Sequence, residues 1–275
     1  MIDKLNKLYR NTIRLAISGE GKHNIGATRF GGMPDVPGDF IWPTFETSTH
    51  KDKEVKRRPL SFIAQFNCND LTHLDYEGLL PTTGVLSFFY EIGSQRWGFD
   101  PKDRGSARVY WFENIDELKT AEIPNDLPKE FRFPSLNISL TADKSLPEYE
   151  DLVLAYPEFD GDYDKYEEEM SSQYESHSKL LGWPFIIQNN MTCECELVSR
   201  GFYLGDDWEK IPKTIITEVE ASSIDNWRLL FQLDTVEDED FELMFGDCGS
   251  IYFYIKKEDL KVKNFDNIWL ILQCY

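Results

Sequence analysis

The side chains best suited to binding a ligand in this 275-residue chain are glutamines inside apolar segments. Gln65 lies within Leu60–Phe66 and Gln232 within Trp227–Leu233, and both segments have the composition of strands. A buried amide without hydrogen-bond partners costs about 1–3 kcal/mol, so each glutamine must find partners. One interpretation ties each amide to an adjacent loop. The other turns Gln65, Gln188 and Gln232 towards a cleft that binds a polar ligand.

A turn-like segment offers a further polar group. Phe245–Gly249 stands before the apolar segment Ile251–Ile255. A glycine with φ > 0 and an aspartate that caps backbone N–H groups are typical of a turn. The alternative interpretation places Asp247 at the mouth of the cleft as a charged ligand-binding group. The candidate ligand-binding cleft then comprises Trp42, Gln65, Gln188, Gln232 and Asp247.

The sequence lacks the common motifs of catalytic and metal sites. It has no GxxxxGK(S/T), HExxH or GxSxG motif and no GxGxxG after a strand. Cys193-x-Cys195 could supply two metal ligands, but no nearby histidine or second cysteine pair completes a site. The odd number of cysteines favours reduced thiols and a cytoplasmic location. We expect no catalytic residue, metal or cofactor, although a Cys–His pair could form in space with Cys68 or Cys248.

One acidic motif resembles the start of a calcium-binding loop, Asp160-x-Asp162-x-Asp164. Such a loop needs glycine at its sixth position and glutamate at its twelfth. Lys165 and Ser171 occupy those positions, so an EF-hand is excluded and a weak surface calcium site is the minor alternative.

Charge is distributed unevenly along the chain. The net charge is −20, and because residues 1–60 carry +4, the rest of the chain carries −24. Residues 141–180 hold twelve acidic side chains and three lysines. Such a surface repels the phosphates of nucleic acids and attracts a basic protein. No apolar run approaches the roughly 20 residues of a membrane span. These features predict no nucleic-acid binding, no membrane span and a basic, toxin-like protein partner.

The elements that must position these residues are mainly strands. Residues 120–150 are punctuated by proline and predict mostly loop. Apolar residues at i, i+3, i+4 spacing predict an amphipathic helix over residues 1–20, and Tyr163–His177 is compatible with a surface helix. Aromatic and β-branched segments predict strands at Leu60–Phe66, Val85–Ile92, Ala107–Phe112, Phe185–Gln188, Ile215–Val219, Trp227–Leu233, Ile251–Ile255 and Ile268–Cys274.

Three sequence blocks recur in the same order, which predicts an internal duplication. A single β unit of this size buries its faces poorly, so two copies would pack together and close one core. The recurring pairs are Arg29–Pro34 with Lys179–Pro184, Phe62–Asn67 with Leu229–Asp234, and Gly84–Tyr90 with Gly249–Ile255.

The predicted fold class is α+β and β-dominated, with antiparallel-rich sheets in two pseudo-equivalent halves from an internal duplication and a few peripheral helices. We expect one compact domain over residues 1–275. Its parts are the N-terminal amphipathic helix over 1–20, a first β repeat over 26–135, an acidic connecting segment over 136–178 and a second β repeat over 179–275.

Several short motifs stand in a characteristic order along most of the chain. They are Gly32-x-Pro34 with Trp42-Pro43, Leu60–Asn67, Leu80–Phe88, His177–Gly182 with Gln188, Leu229–Asp234, Phe245–Gly249 and Glu258–Cys274. In this order they resemble the YwqG-like family of bacterial proteins. The resemblance implies a β-rich fold with an internal repeat, and it implies no catalytic residues. It also implies cytoplasmic proteins, some of them suspected immunity proteins against secreted toxins.

Two functions follow as expectations. The first is a non-enzymatic cytoplasmic binding protein of immunity type, whose acidic surface engages a basic protein partner. The alternative is a binder, or an enzyme, that takes a small polar ligand or peptide in a cleft between the two repeats. A scaffold role with neither pocket nor strong partner is a third interpretation.

Overall fold

Strands dominate the computed structural model of the protein, which describes residues 7–159, 161, 163–164, 166, 177–205 and 208–275. The strands are β1 (Arg10–Glu20), β2 (Arg29–Phe30), β3 (Asp35–Pro37), β4 (Thr44–Thr47), β5 (Lys56–Pro59), β6 (Ser61–Asn67), β7 (Val85–Tyr90), β8 (Ala107–Phe112), β9 (Leu118–Thr120), β10 (Leu136–Ser145), β11 (Lys179–Leu181), β12 (Trp227–Asp234), β13 (Val236–Asp238), β14 (Phe241–Leu243), β15 (Ser250–Lys256) and β16 (Trp269–Gln273). The helices are α1 (Cys68–Leu71), α2 (Tyr149–Ala155), α3 (Met191–Ser199), α4 (Lys213–Glu220), α5 (Ser223–Asn226) and α6 (Lys257–Lys261). Short 3-10 turns cover Pro101–Asp103, Ile115–Glu117, Lys129–Phe131, Pro157–Phe159 and Trp208–Lys210. The β-dominated prediction with a few helices is confirmed.

A ten-stranded sheet has the two longest strands at its centre. Its order is β16-β15-β12-β11-β1-β10-β2-β6-β7-β8, and its neighbouring strands are antiparallel. β1 and β10 pair from Arg10 opposite Ser145 to Glu20 opposite Leu136. The other edge of β1 pairs with β11. The middle of the sheet therefore joins segments that are far apart in the sequence.

The helix predicted over residues 1–20 is wrong where β1 replaces it. Ile13 and Leu15 are buried and Ala16 is exposed, which fits the two-residue period of a strand. The spacing of the apolar residues here fits both a helix and a strand. Hydrogen bonding to β10 on one side and to β11 on the other stabilises the strand. Residues 1–6 lie outside the described part of the chain.

The acidic connecting segment predicted over residues 136–178 is wrong at its start, because β10 occupies that part and pairs with β1. Apolar and polar residues alternate along β10, which is the pattern of a strand. The prediction of mostly loop over 120–150 is wrong for the same reason. The helix predicted over Tyr163–His177 lies almost entirely outside the described residues.

Two other predicted strands have different structures. Ile215–Val219 belongs to α4, whose apolar residues pack against the outer face of the sheet. Phe185–Gln188 is irregular chain between β11 and α3. Short apolar segments do not distinguish a strand from a buried helix, and the packing around them decides.

The sheet curls so that its two halves pack against each other. Phe88 from one half lies 4.8 Å from Phe231 and 5.2 Å from Phe253 of the other, between ring centroids. Phe66 lies 5.4 Å from Phe231. Aromatic pairs at these separations add about 0.5–1.5 kcal/mol beyond their buried area. A second buried cluster packs α3 and α4 on the outer face of β12, β15 and β16.

Residues 95–99, between β7 and β8, bridge to β16 and give the sheet a nearly barrel-like shape. The Leu272 amide donates to the Trp97 carbonyl at 3.1 Å, and the Trp269 indole donates to the Gly98 carbonyl at 2.9 Å. Gly98 has φ +82°, and an added Cβ would lie 1.9 Å from a carbonyl oxygen of β16. Only glycine fits this close approach.

The halves share a local geometry where the sequence blocks recur. Arg29 pairs with Gln65 across β2 and β6, and Lys179 pairs with Gln232 across β11 and β12. Each short strand runs into residues of left-handed backbone conformation. These are Gly31, Gly32, Leu181 and Gly182, with φ between 58° and 76°. Internal duplication itself stays a prediction.

Candidate functional site

Gln65 belongs to a buried hydrogen-bond network in the first half. Its Nε2 donates to Asp35 Oδ2 and to the Ala27 carbonyl, both at 2.9 Å, and its Oε1 accepts from the Asp35 amide at 3.0 Å. Arg29 also donates to Asp35, at 2.9 Å. Burial alone would raise the pKa of Asp35, but the hydrogen bond and charge of Arg29 hold it below its usual value. The interpretation that ties the Gln65 amide to an adjacent loop is confirmed.

Gln232 makes only part of the corresponding network. Its Oε1 accepts from the Phe185 amide at 3.0 Å, which matches the Asp35 contact of Gln65. Phe185 supplies no carboxylate, and the buried Gln232 Nε2 has no partner among the described residues. Lys179 stands where the first half has Arg29, and burial lowers its pKa to about 8.

Both glutamines lie on the sheet face opposite the shared core. Phe66, next to Gln65, and Phe231, next to Gln232, belong to the core cluster. Successive side chains of a strand point to opposite faces, so the two amides point away from the contact between the halves. The structure does not bring them together in a cleft there.

The other three predicted cleft residues make separate contacts. The half-buried Trp42 donates its indole N–H to the Leu60 carbonyl at 2.9 Å. Gln188 is exposed and donates to the Cys274 carbonyl at 2.8 Å. Asp247 is exposed in a turn before β15, as the turn interpretation predicts. Only Gln188 and Asp247 share a region, because both contact the backbone after β16.

Gln273 positions a segment that sequence reasoning missed. Its Oε1 accepts from the amides of Ile187 and Gln188, each at 3.1 Å, and its Nε2 donates to the Asn189 carbonyl at 2.8 Å. These bonds hold the chain that leads into α3, whose N-cap is Asn190. The signal that could have identified it is the one used for the other buried glutamines, an amide in an apolar strand.

A pocket of about 440 Å³ opens beside this segment, within the range of small-molecule sites. It is formed by α2, α3, the end of α4 and the loops that carry Phe99 and Trp208. No lysine, arginine or histidine is among the described residues that line it. Its acidic and main apolar side chains are Glu150, Glu194, Glu220, Phe99, Leu154 and Trp208.

Glu194 is the buried acid of this pocket. It is 5% exposed, and its Oε2 has no hydrogen-bond partner in the described part of the chain. Burial raises the pKa of Glu194 to about 8, so this carboxyl is mostly protonated at pH 7. Glu150 and Glu220 are exposed at the rim, where a cation would meet them first.

A second buried acid lies next to the pocket. Asp151 accepts a hydrogen bond from the Asn190 side chain, while Asn190 Oδ1 caps α3 by accepting from the Cys193 amide at 2.9 Å. Burial raises the pKa of Asp151 to about 7, against the attraction of Arg10. Groups perturbed by burial in this way concentrate at functional sites, and two of them flank the first turn of α3.

Cys193 lacks the properties of an activated nucleophile. Its Sγ lies 3.2 Å from Ser223 Oγ, and burial raises the pKa of the thiol to about 11, so the reactive thiolate is scarce at neutral pH. Within the described residues, no group of three or more His, Cys, Asp or Glu side chains is arranged to hold a metal ion. Asp160 and Asp162 of the calcium-like motif lie outside those residues. The arrangement suits non-covalent binding of a cation.

The fold and this site define a β-dominated protein with an acidic pocket of small-ligand size on the outer face of its sheet. The sequence profile of the family described as "Domain of unknown function (DUF1963)" matches residues 28–274, and the chain belongs to this family. Among curated proteins, none matches the chain. In the part of the chain that the structure describes, no helix is long and apolar enough to cross a membrane.

Proposed function

We propose that this protein is a non-enzymatic cytoplasmic binding protein of immunity type, related to the YwqG-like proteins, whose acidic surface engages a basic protein. The observation that carries this proposal is the acidic hairpin, defined as residues 236–243 of β13 and β14. No ion pair joins its acidic side chains to a basic residue within the described part of the chain. These side chains are Glu237, Asp238, Glu239, Asp240 and Glu242.

The acidic hairpin packs against the body of the protein. The ring of Phe241 lies 5.9 Å from that of Phe30 and 5.8 Å from that of Phe133, between centroids. Asp238 accepts a hydrogen bond from the Gly19 amide at 3.3 Å. A preformed surface loses less conformational entropy on binding, and the net charge of −20 steers a cationic partner towards it.

The test neutralises the hairpin in the full-length protein by five isosteric changes: Glu237→Gln, Asp238→Asn, Glu239→Gln, Asp240→Asn and Glu242→Gln. Tagged wild-type protein is used to purify partners from its native host at about 20 mM salt, and each basic candidate is then produced separately and titrated. We expect wild-type binding to weaken at least tenfold between about 20 and 300 mM salt, because exposed charges are screened. The hairpin variant should bind at least tenfold more weakly at low salt.

A matched control variant changes net charge equally elsewhere. It carries Asp39→Asn, Glu46→Gln, Glu113→Gln, Glu122→Gln and Asp126→Asn, all at exposed positions in the first half. This variant should keep most of the wild-type affinity. If no basic protein binds after purification, the proposed function is wrong, and equal losses in both variants would contradict the role of the hairpin.

The alternative function, binding of a small polar ligand or peptide, is favoured by the acidic pocket beside α3. It is not favoured by the cleft predicted between the repeats, since Gln65 and Gln232 face away from the contact between the halves.

A further inference from the structure

We propose that the pocket beside α3 binds an organic cation, an ammonium or guanidinium group on a short apolar arm, with Glu194 as its counter-ion. The pocket is distinct from the acidic hairpin, so this site does not depend on the basic-partner proposal.

The charge of the pocket selects for cations. Glu150 and Glu220 stand exposed at its rim, Glu194 lies inside, and no described lining residue is basic. An anion would have to approach three carboxyl groups with no basic side chain among the described lining residues to attract it. A cation gains from each of them, and most from Glu194 once that carboxyl loses its proton on binding, because burial weakens the screening of the interaction.

Glu194 itself is the observation that points to a ligand. A buried polar atom without a partner destabilises a protein, and Glu194, a residue that lines the pocket, has such an atom in its Oε2. Other polar groups of this turn bond to one another: Asn190 caps the helix, and Thr192 Oγ1 donates to Asn190 Oδ1 at 2.9 Å. The neighbouring Asp151 also keeps one buried oxygen, Oδ2, without a partner among the described residues. An ammonium or guanidinium N–H would supply the donor that Glu194 lacks.

The apolar walls indicate what carries the charge. Phe99 and Trp208 offer aromatic faces, and Leu154 and Leu204 offer aliphatic surface, which suit an alkyl arm and a cation near a ring. The walls are partly preformed, since the Leu204 amide donates to the Phe99 carbonyl at 2.8 Å. A fully hydrated inorganic ion would leave this surface unused.

The test titrates the full-length protein with n-butylamine and with n-butanol, its neutral analogue, by calorimetry and Trp fluorescence. We expect n-butylamine to bind at least tenfold more tightly than n-butanol. Glu194→Gln should lower the affinity for n-butylamine at least tenfold. The control Glu122→Gln makes the same substitution at an exposed position in the first half and should leave the affinity unchanged.

Proton release gives a second readout, which reports the titration of Glu194 on binding. Because the pKa of Glu194 is raised to about 8, binding at pH 7 should release close to one proton, measured in buffers of different ionisation enthalpy. Asp151 also titrates near neutrality, with a pKa of about 7, whereas burial keeps Cys193 protonated, with a pKa of about 11. Burial also raises the pKa values of Cys195 and Tyr254, which face the same region, so both stay neutral. Glu194→Gln should lower the release by close to one proton per bound amine, and Glu122→Gln should keep it.

A second variant guards against a folding defect in Glu194→Gln. Leu154→Trp fills the pocket from a half-buried position and keeps Glu194, and it should also abolish n-butylamine binding. Equal binding of n-butylamine and n-butanol, or equal affinity of Glu194→Gln and Glu122→Gln for n-butylamine, would overturn the proposal. So would retained binding in a folded Leu154→Trp variant.

Two sources of the cation are distinguished by competition. A capped Gly-Gly-Lys-Gly-Gly peptide that displaces n-butylamine supports the pocket and assigns it to a lysine side chain of a protein. If free n-butylamine binds at least tenfold more tightly than the peptide, the result supports the pocket and assigns it to a small amine. Failure of both ligands overturns the pocket and leaves the acidic hairpin proposal untouched.

Discussion

Gln65 and Gln232 stand at corresponding positions but make different numbers of hydrogen bonds. Gln65 makes two hydrogen bonds with Asp35 and one with the Ala27 carbonyl. Gln232 makes one hydrogen bond, with the Phe185 amide, and its Nε2 has no partner among the described residues. Removal of a side-chain amide lowers the free energy of unfolding most where it leaves other buried polar groups without hydrogen-bond partners. The two positions therefore form a matched pair for measuring what the network contributes.

We predict that Gln65→Met lowers the free energy of unfolding by about 3 kcal/mol and Gln232→Met by about 1 kcal/mol. Methionine keeps the length of the side chain, so the difference reports the lost hydrogen bonds. Urea denaturation of both variants beside wild type measures it. Equal losses, or a larger loss for Gln232→Met, would show that the network around Asp35 contributes little.

The bridging loop, residues 95–99, is hydrogen-bonded to β16, and Gly98 lies close against the backbone of that strand. We predict that Gly98→Ala lowers the free energy of unfolding by at least about 3 kcal/mol, because its Cβ would collide with the Leu270 carbonyl. Gly78→Ala is the control: Gly78 has φ +65° and open space around it, so only the backbone penalty of about 1 kcal/mol is expected. Chemical denaturation measures both variants. Equal losses of unfolding free energy in Gly98→Ala and Gly78→Ala would mean that the loop moves to accommodate the added Cβ, and would contradict the prediction.

The net charge of −20 acts on the whole fold as well as on partners. Mutual repulsion destabilises the compact state, and salt shortens the Debye length from about 30 Å at 0.01 M to about 8 Å at 0.15 M. We predict that the melting temperature rises by a few degrees over this range of salt concentration, because each kcal/mol of added stability raises it by about 2–4 °C. The variant with the neutralised hairpin should show a smaller rise. A melting temperature that falls with sodium chloride and potassium chloride alike would contradict this prediction.

Sequence patterns predicted the strands that are buried on both faces and missed those at the centre of the sheet. β7 and β15 read as continuous apolar, aromatic segments, so local composition suffices to identify them. β1 and β10 are more polar and fit several structures. Their mutual pairing, between residues far apart in the chain, makes them strands, and no local pattern carries that information.

The candidate site divides in a similar way. That Gln65 must be bonded to a neighbouring loop follows from the cost of an unpaired amide, which needs no tertiary structure. The pocket could not be predicted, because Phe99, Glu150, Glu194 and Glu220 come from four separate segments that only the packing of the helices brings together. The local signal for Glu194 is a glutamate between two cysteines near the start of α3, which is weak on its own.

The position of β1 between β10 and β11 has a consequence for how the protein is made. β1 leaves the ribosome before both of its neighbours, β10 and β11, which begin at Leu136 and Lys179. Until then the strand that will lie at the centre of the sheet has two unpaired edges, and such edges invite association with other nascent chains. The central sheet can therefore begin to assemble only after about half of the 275 residues have been made, when Leu136 becomes available to pair with both β1 and β2.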